Sequence, residues 1–198
     1  MPATAKNYQT SMVELGPGDI WLNVAVPGAG ARITLFTDGT PDATANPSAK
    51  HLGMTADGAK LIYTPNITEF ESDEQTVPII VQNVKEILAI QGNMIQTLDS
   101  TLLNNLIAGA TRSTGAGYEQ NTIGGKITVP TFTIAYIAPV YADTTKFMVY
   151  NIYNAYNKAG FNMDLSRKKM AAIPFDFQAL SISSRATGDQ AGNIWKSV

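Results

Sequence analysis

The chain contains no cysteine, and this absence excludes several classes of protein. Disulfide scaffolds, thiolate zinc sites and cysteine nucleophiles all need a thiol. A chain without cysteine is compatible with assembly in a reducing cytoplasm. Its 198 residues are enough to bury one sizeable core without such cross-links, so we expect a single domain over 1–198.

Charged residues are also scarce. Asp, Glu, Lys and Arg make up 15% of the chain, where about 25% is usual. Asn, Gln, Ser and Thr take their place. Because the centres of protein interfaces are depleted of charge, this composition favours a chain that is covered by other copies of itself. A neutral β domain that stays monomeric is the alternative. The net charge of −2 offers no basic footprint for sequence-specific nucleic-acid binding.

Long apolar runs are missing as well. The longest, such as 134–140, fall far short of the ~20 residues that a membrane-spanning helix needs. Residues 1–13 lack the apolar stretch of a secretory signal. We therefore expect no membrane partner.

Catalytic residue types are too few to build a known centre. His51 is the single histidine, and its surroundings lack a nucleophile elbow. Carboxylates stand at no recognisable metal-binding spacing. The glycine pairs at 28–30 and 124–125 lack the further residues of nucleotide-binding loops and indicate turns. We expect no catalytic residue, no cofactor and no metal, and hence a chain that is not an enzyme.

Turn signals are dense, and short β-branched and aromatic runs lie between them. The pattern predicts a strand over Asp19–Val26, a hairpin partner over Arg32–Thr37 and a third strand over Lys60–Glu71. Four more strands are predicted at Val77–Val81, Lys126–Val140, Lys146–Tyr156 and Arg167–Ser183. An N-terminal arm, 1–17, and an exposed loop, 112–125, complete a mainly β chain.

Residues 84–109 fit two patterns. Apolar residues recur at helical spacing, yet alternation over 85–98 is typical of a strand. Gly92 would weaken a long helix by ~1 kcal/mol. Asp99-Ser100 could cap a short helix that ends at Gly109. The pattern alone favours one long helix over a strand followed by a short helix.

Glu69, Glu71 and Asp73 form an acidic row, because alternate residues of a strand point the same way. Such a row is most simply a solvated face. It could also face a polyanion.

Three segments together resemble the tail tube (major tail) proteins of tailed bacteriophages. The first, 18–79, opens with GDIWLNV and a glycine-rich turn and ends in the acidic SDEQTVPI. KEILAIQGNMIQTL followed by DSTLLNNLIAGA is similar to that family's strand and short helix. FDFQALSISSRATGDQAGNIW resembles its last strands. The resemblance covers roughly 18–110 and 168–196, and its motifs are loose patterns.

The resemblance implies a β-sandwich or β-barrel protomer with one short flanking α-helix. It favours a strand to about Thr97 and a helix over 100–109, with Leu102, Leu106 and Ile107 in the helix core. Six protomers would close a ring around a continuous inner barrel, and stacked rings would form the conduit for genome ejection. Glu69, Glu71 and Asp73 would face the pore.

The implied partners are further copies of the chain and other tail proteins, namely tape measure, terminator and baseplate, with the sheath left open. Double-stranded DNA would pass without sequence-specific contacts. The implied location is the virion tail, after assembly in the host cytoplasm. Two alternatives remain open: a subunit of another tube or shell, such as a secretion-system tube or a capsid decoration, and a monomeric ligand-binding β domain.

Overall fold

The computed structural model is mainly β, as the sequence predicts. It describes residues 18–70, 77, 80–95, 106, 110–125, 127–140, 143–160, 162 and 172–197. Nine strands run through them: β1 (Asp19–Leu22), β2 (Lys50–Phe70), β3 (Ile80–Met94), β4 (Thr111–Gly115), β5 (Tyr118–Thr122), β6 (Phe132–Val140), β7 (Asp143–Asn157), β8 (Ile173–Ala179) and β9 (Gly192–Lys196).

Six of these strands pair in a closed cycle. Antiparallel pairing runs from β6 through β1, β2, β3 and β8 to β7, and β7 pairs back with β6. β9 adds to β7 along Met148–Ile152, and β4 and β5 form a separate two-stranded sheet. Closure removes most of the exposed edges that an open sheet would present.

The inside of the barrel holds the main core. Ile20 and Leu22 of β1 point inward at alternate positions. Phe132 and Phe175 each lie against the ring of Phe177, with centroids 5.6 and 5.2 Å away. The other large, fully buried side chains of this core are Leu52, Ile90, Met94, Leu106, Ile134, Ile152 and Ile173. Such a continuous apolar filling makes this a packed barrel rather than a pore.

A second core lies outside the barrel wall. In β6, all residues except Thr133 and Pro139 are buried, so both faces of this strand are covered. The segment between β1 and β2 supplies the cover, because its Val24 and Ile33 pack on Ala135 and its neighbours. The external core is completed by Ile137, Phe147 and Val149.

This covering segment corrects the predicted N-terminal hairpin. β1 ends at Leu22 because Asn23 adopts a φ of 56°, in the left-handed region. Residues 32–37 form no strand, and only Leu35 makes a single bridge, to Pro41. β1 pairs instead with β2 and β6. The alternation that suggested a strand reflects burial of Ile33 and half-burial of Leu35 against the barrel.

Asn46 fixes the path of the covering segment. Its side chain is 3% exposed. The Oδ1 atom accepts from the Ala25 backbone N–H at 3.0 Å, and Nδ2 donates to the carbonyls of Thr34 and Asp42 at 3.2 and 3.1 Å. One buried amide thus satisfies three separate backbone groups, which an apolar residue could not do.

In the ambiguous stretch 84–109, residues 84–94 form a strand. β3 ends at Met94, and its register with β2 runs from Phe70↔Ile80 to Thr55↔Met94. Of the proposed helix, Leu106 is described, and it is helical and 1% exposed in the barrel core. Leu102 and Ile107 lie outside the described residues, as does the predicted arm 1–17.

The segment 112–125, expected as an exposed loop, contains a regular hairpin. β4 and β5 pair from Thr111↔Thr122 to Gly115↔Tyr118, and Arg112 and Glu119 form an ion pair at 2.7 Å. Most residues of the hairpin are exposed. Cross-strand pairing, rather than apolar anchoring, accounts for the order of this polar sequence.

We expect Phe177→Ala to lower the free energy of unfolding by about 3–5 kcal/mol, because it empties the centre of the aromatic group inside the barrel. Phe36→Ala is the matched control, since Phe36 is 49% exposed on the covering segment and should cost no more than about 1.5 kcal/mol. Urea titration followed by tryptophan fluorescence measures both. Equal losses for the two variants would contradict the barrel core described here.

Candidate assembly surface

The two longest strands extend past the rest of the barrel. β8 pairs with β3 only from Ala89 onward, and β1 pairs with β2 only as far as Met54. Within the described residues, 63–70 and 80–88 therefore pair only with each other. We call these two segments the arm, which is distinct from the predicted N-terminal arm 1–17. At roughly 3.3 Å per residue, the arm is about 23 Å long.

The arm is exposed along most of its length. Every residue over 63–70 and 80–86 is exposed. Six of them are large and apolar: Tyr63 (57%), Ile67 (52%), Phe70 (49%), Ile80 (59%), Val81 (60%) and Val84 (64%). Single exposed apolar residues are ordinary, but a group of them on one projecting element makes the arm the candidate interaction surface of the described residues.

Two polar contacts stabilise the arm, one between its strands and one within β3. The Tyr63 hydroxyl bonds to the Glu86 carboxylate, and this hydrogen bond raises the pKa of Tyr63. Asn83 Nδ2 donates to Glu86 Oε1 at 2.5 Å. Between Asn66 and Ile67 the register shifts by a bulge, which increases the local twist. The arm is thus a defined ribbon with its apolar side chains uncovered.

Strand edges around the arm offer backbone groups as well as side chains. Both outer edges of the arm lack a strand partner among the described residues. The same holds for the outer edge of β9, whose Ile194 is 56% exposed. Unpaired edges are templates for pairing with another chain.

The structure describes one member of the predicted acidic row. Glu69 is exposed near the end of β2, opposite Val81, and it lies on the same side of the strand as Tyr63 and Ile67. Phe70 points to the other side and is half exposed. Glu71 and Asp73 lie outside the described residues, so the row as a whole stays a prediction.

His51 makes a structural contact on the barrel. Its Nε2 lies 2.9 Å from Asp19 Oδ1, and its ring is 4.9 Å from that of Trp21. The contact joins β1 to β2 beside the bulge between Ile20 and Trp21. In the part of the chain that the structure describes, no group of three or more His, Asp or Glu side chains could hold a metal ion. Among the same residues, no helix could cross a membrane.

The backbone at Leu106 is hydrogen-bonded to the barrel. Its backbone carbonyl accepts a 2.9 Å hydrogen bond from Asn157 Nδ2 at the end of β7. The same Nδ2 donates to the Gly160 carbonyl, and Asn157 Oδ1 accepts from the Asp176 backbone N–H. Asn157 is 7% exposed, so one buried amide joins Leu106, β7 and β8.

A polar clasp, formed by Arg185, Asp189 and Tyr153, holds the segment before β9. Arg185 binds the Asp189 carboxylate at 2.7 Å, lies 4.1 Å over the Tyr153 ring and donates to the Pro27 carbonyl at 2.9 Å. The Tyr153 hydroxyl donates to Asp189 at 2.7 Å. The sequence signal for this cluster was only the Arg–Asp spacing of four, which could not reveal Tyr153 or Pro27 as partners.

The clasp shifts two titrations in opposite directions. Burial, with the hydrogen bond to Asp189, raises the pKa of Tyr153 to about 12. The hydrogen bond from Tyr153 leads the causes that lower the pKa of Asp189, with Arg185 adding to it. Both shifts favour the same state, a neutral tyrosine beside a charged carboxylate.

With this geometry in hand, comparison with known proteins finds no matching family model and no matching curated protein.

Tyr153→Phe should reduce the alkaline loss of stability. A raised pKa in the folded state stabilises the fold while pH stays below the ordinary tyrosine value of 10, and this contribution disappears as pH rises toward about 12. Urea unfolding at several pH values between these limits measures the slope. If wild type and Tyr153→Phe lose stability equally over this range, the clasp does not control the tyrosine.

Proposed function

We propose that this chain is a structural subunit of a bacteriophage tail tube, which closes with five further copies into a ring and stacks into a conduit for double-stranded DNA. The observation that carries the proposal is the arm. The barrel has a filled core and can fold alone. Its arm nevertheless extends from it with apolar side chains and strand edges uncovered. The resemblance of the sequence to tail tube proteins supplies the kind of assembly.

The energetics favour many copies over a pair. Covering a half-exposed large apolar side chain contributes roughly 1 kcal/mol, so the six on the arm contribute roughly 6 kcal/mol. Association of two proteins costs about 4–15 kcal/mol in lost freedom and ordering. One arm contact therefore leaves a weak dimer. A closed ring is more stable, because six copies make six arm contacts while only five of them lose their free translation and rotation, and stacking of rings adds further contacts.

The geometry also suits repeated contacts of one kind. The arm extends from one part of the barrel, and β9 exposes its outer edge elsewhere on the wall. A contact between unlike surfaces propagates into a ring when the rotation closes and into a filament when it does not. The scarcity of charge, at 15% of residues, fits a protomer that faces neighbours on several sides.

Negative-stain electron microscopy of the purified protein tests the proposal. Rings or hollow tubes support it. Uniform small particles at high concentration would favour a monomeric ligand-binding β domain instead. A closed shell without a bore would favour a capsid decoration.

We expect Ile67→Asp combined with Val81→Asp to abolish assembly and leave the fold intact. Both side chains are more than half exposed on one side of the arm, so the new charges cost little in the protomer and much in an interface. Light scattering should report a monomer, and thermal unfolding should show the same transition as the wild type.

Phe36→Asp is the matched control for that double variant. Phe36 is exposed to a similar degree, 49%, but lies on the covering segment away from the arm. It should assemble like the wild type. Loss of assembly in Phe36→Asp, or tubes formed by the double variant, would show that the arm is not the joint.

Charge reversal tests whether the acidic row faces the bore. Glu69→Lys with Glu71→Lys would place cations around the duplex in every ring, and phosphate contacts would accumulate along the tube. Virions carrying both changes should assemble but eject DNA slowly, with recovery at higher salt. Ejection at the wild-type rate would remove these residues from the bore, and failed assembly would assign them to a joint between subunits.

A further inference from the structure

The chain contains two Asp-Gly pairs, Asp38-Gly39 and Asp57-Gly58. The two pairs lie in different local environments. Asp-Gly is the pair most prone to spontaneous isomerisation, because a glycine without a Cβ leaves its backbone nitrogen free to approach the aspartate side chain. The nitrogen attacks the carboxyl carbon, a C–N bond forms, and one water leaves with the carboxyl oxygen and the amide proton. Water then opens the resulting ring at either carbonyl and yields aspartate or isoaspartate.

Asp38-Gly39 is held away from this reaction. Asp38 Oδ1 accepts from the Thr40 backbone N–H at 3.0 Å and from the Thr40 hydroxyl at 2.7 Å. The Gly39 backbone N–H, which supplies the attacking nitrogen, donates to the Phe36 carbonyl at 3.1 Å. Both reacting groups are therefore occupied by other partners.

Packing and ionisation add to this protection. Gly39 is buried with the Phe147 ring so close that a Cβ would lie 2.5 Å from it, which resists movement of the backbone. The hydrogen bonds from Thr40 lower the pKa of Asp38. Its carboxyl group is thus less often in the protonated form that can lose water.

Asp57-Gly58 lies in a different environment, between the part of β2 that pairs with β1 and the part that belongs to the arm. The register passes from Thr55↔Met94 to Ala59↔Gly92, so residues 56–58 bulge out opposite Asn93 alone. Asp57 is exposed. Gly58 has the same φ as Gly39, 84°, so the contrast between the two pairs rests on the bulge over 56–58 and on the half-buried position of Gly58, where Gly39 is buried.

We propose that Asp57-Gly58 is a site of spontaneous aspartate isomerisation, and that Asp38-Gly39 is protected from it. The isoaspartate product adds one methylene to the main chain between the part of β2 that pairs with β1 and the part that forms the arm. It needs no oxidant or enzyme, because each cycle releases one water and takes one up. The proposal stands independently of the proposed function.

Incubating the purified full chain in heavy-oxygen water tests it, since each ring opening fixes one heavy oxygen in the product. Peptide mapping by mass spectrometry should show label at 57–58 accumulating at least about tenfold faster than at 38–39, a barrier difference of about 1.4 kcal/mol or more. In denaturant the two peptides should label at similar rates, because the protection at Asp38 comes from the fold.

Two glutamate variants complete the design, since a glutamate side chain forms the corresponding ring far less readily. Asp57→Glu should abolish labelling of the 57–58 peptide in the folded chain. Asp38→Glu should leave labelling of the 57–58 peptide unchanged. Labelling at 38–39 as fast as at 57–58 in the folded chain would overturn the proposal. So would a 57–58 peptide that labels in denaturant but not in the folded protein.

Discussion

The pairing of β7 along both edges determines how the rest of the molecule is built. One edge meets β6 from Phe132↔Ala155 onward, while the other meets β9 and then, over Ala155–Asn157, β8. Because β8 also pairs with β3, the cycle closes and the aromatic core is sealed inside. The barrel satisfies its own backbone groups, so the arm can extend without weakening the core. The buried core and the exposed apolar side chains of the arm thereby lie in separate parts of one sheet.

The same division explains the buried asparagines Asn46 and Asn157 and the clasp. Asn46 anchors the covering segment, and Asn157 anchors Leu106 and β8, each by satisfying several backbone groups at once. Arg185 ties the segment before β9 to Pro27. These polar contacts fix irregular chain against a regular wall, where hydrogen bonds between strands are not available.

Alternation in the sequence predicted strands that line the barrel, such as β1, because interior and exterior side chains differ in polarity there. It did not decide β3, for which the pattern alone favoured a helix and the family resemblance favoured the strand. It failed at residues 32–37, where Ile33 and Leu35 alternate because they pack on the wall from outside. The strand over 63–70 was predicted, but the exposure of its apolar side chains was not. Tyrosine and isoleucine, as at Tyr63 and Ile67, are residue types that often pack in a core. The pairing of β1 with β6 and of β3 with β8 depends on contacts distant in sequence, as do the contacts of Arg185 with Pro27 and Tyr153. A local pattern does not contain such contacts.

Hydrogen–deuterium exchange of the arm across protein concentration tests the central claim most directly, because it reads the backbone edges themselves. If copies of the chain cover the arm, amides over 63–70 and 80–88 should become protected as assembly proceeds, while amides of β6 stay protected throughout. Exchange of the arm that remains fast and independent of concentration, in samples that contain rings or tubes, would contradict the account.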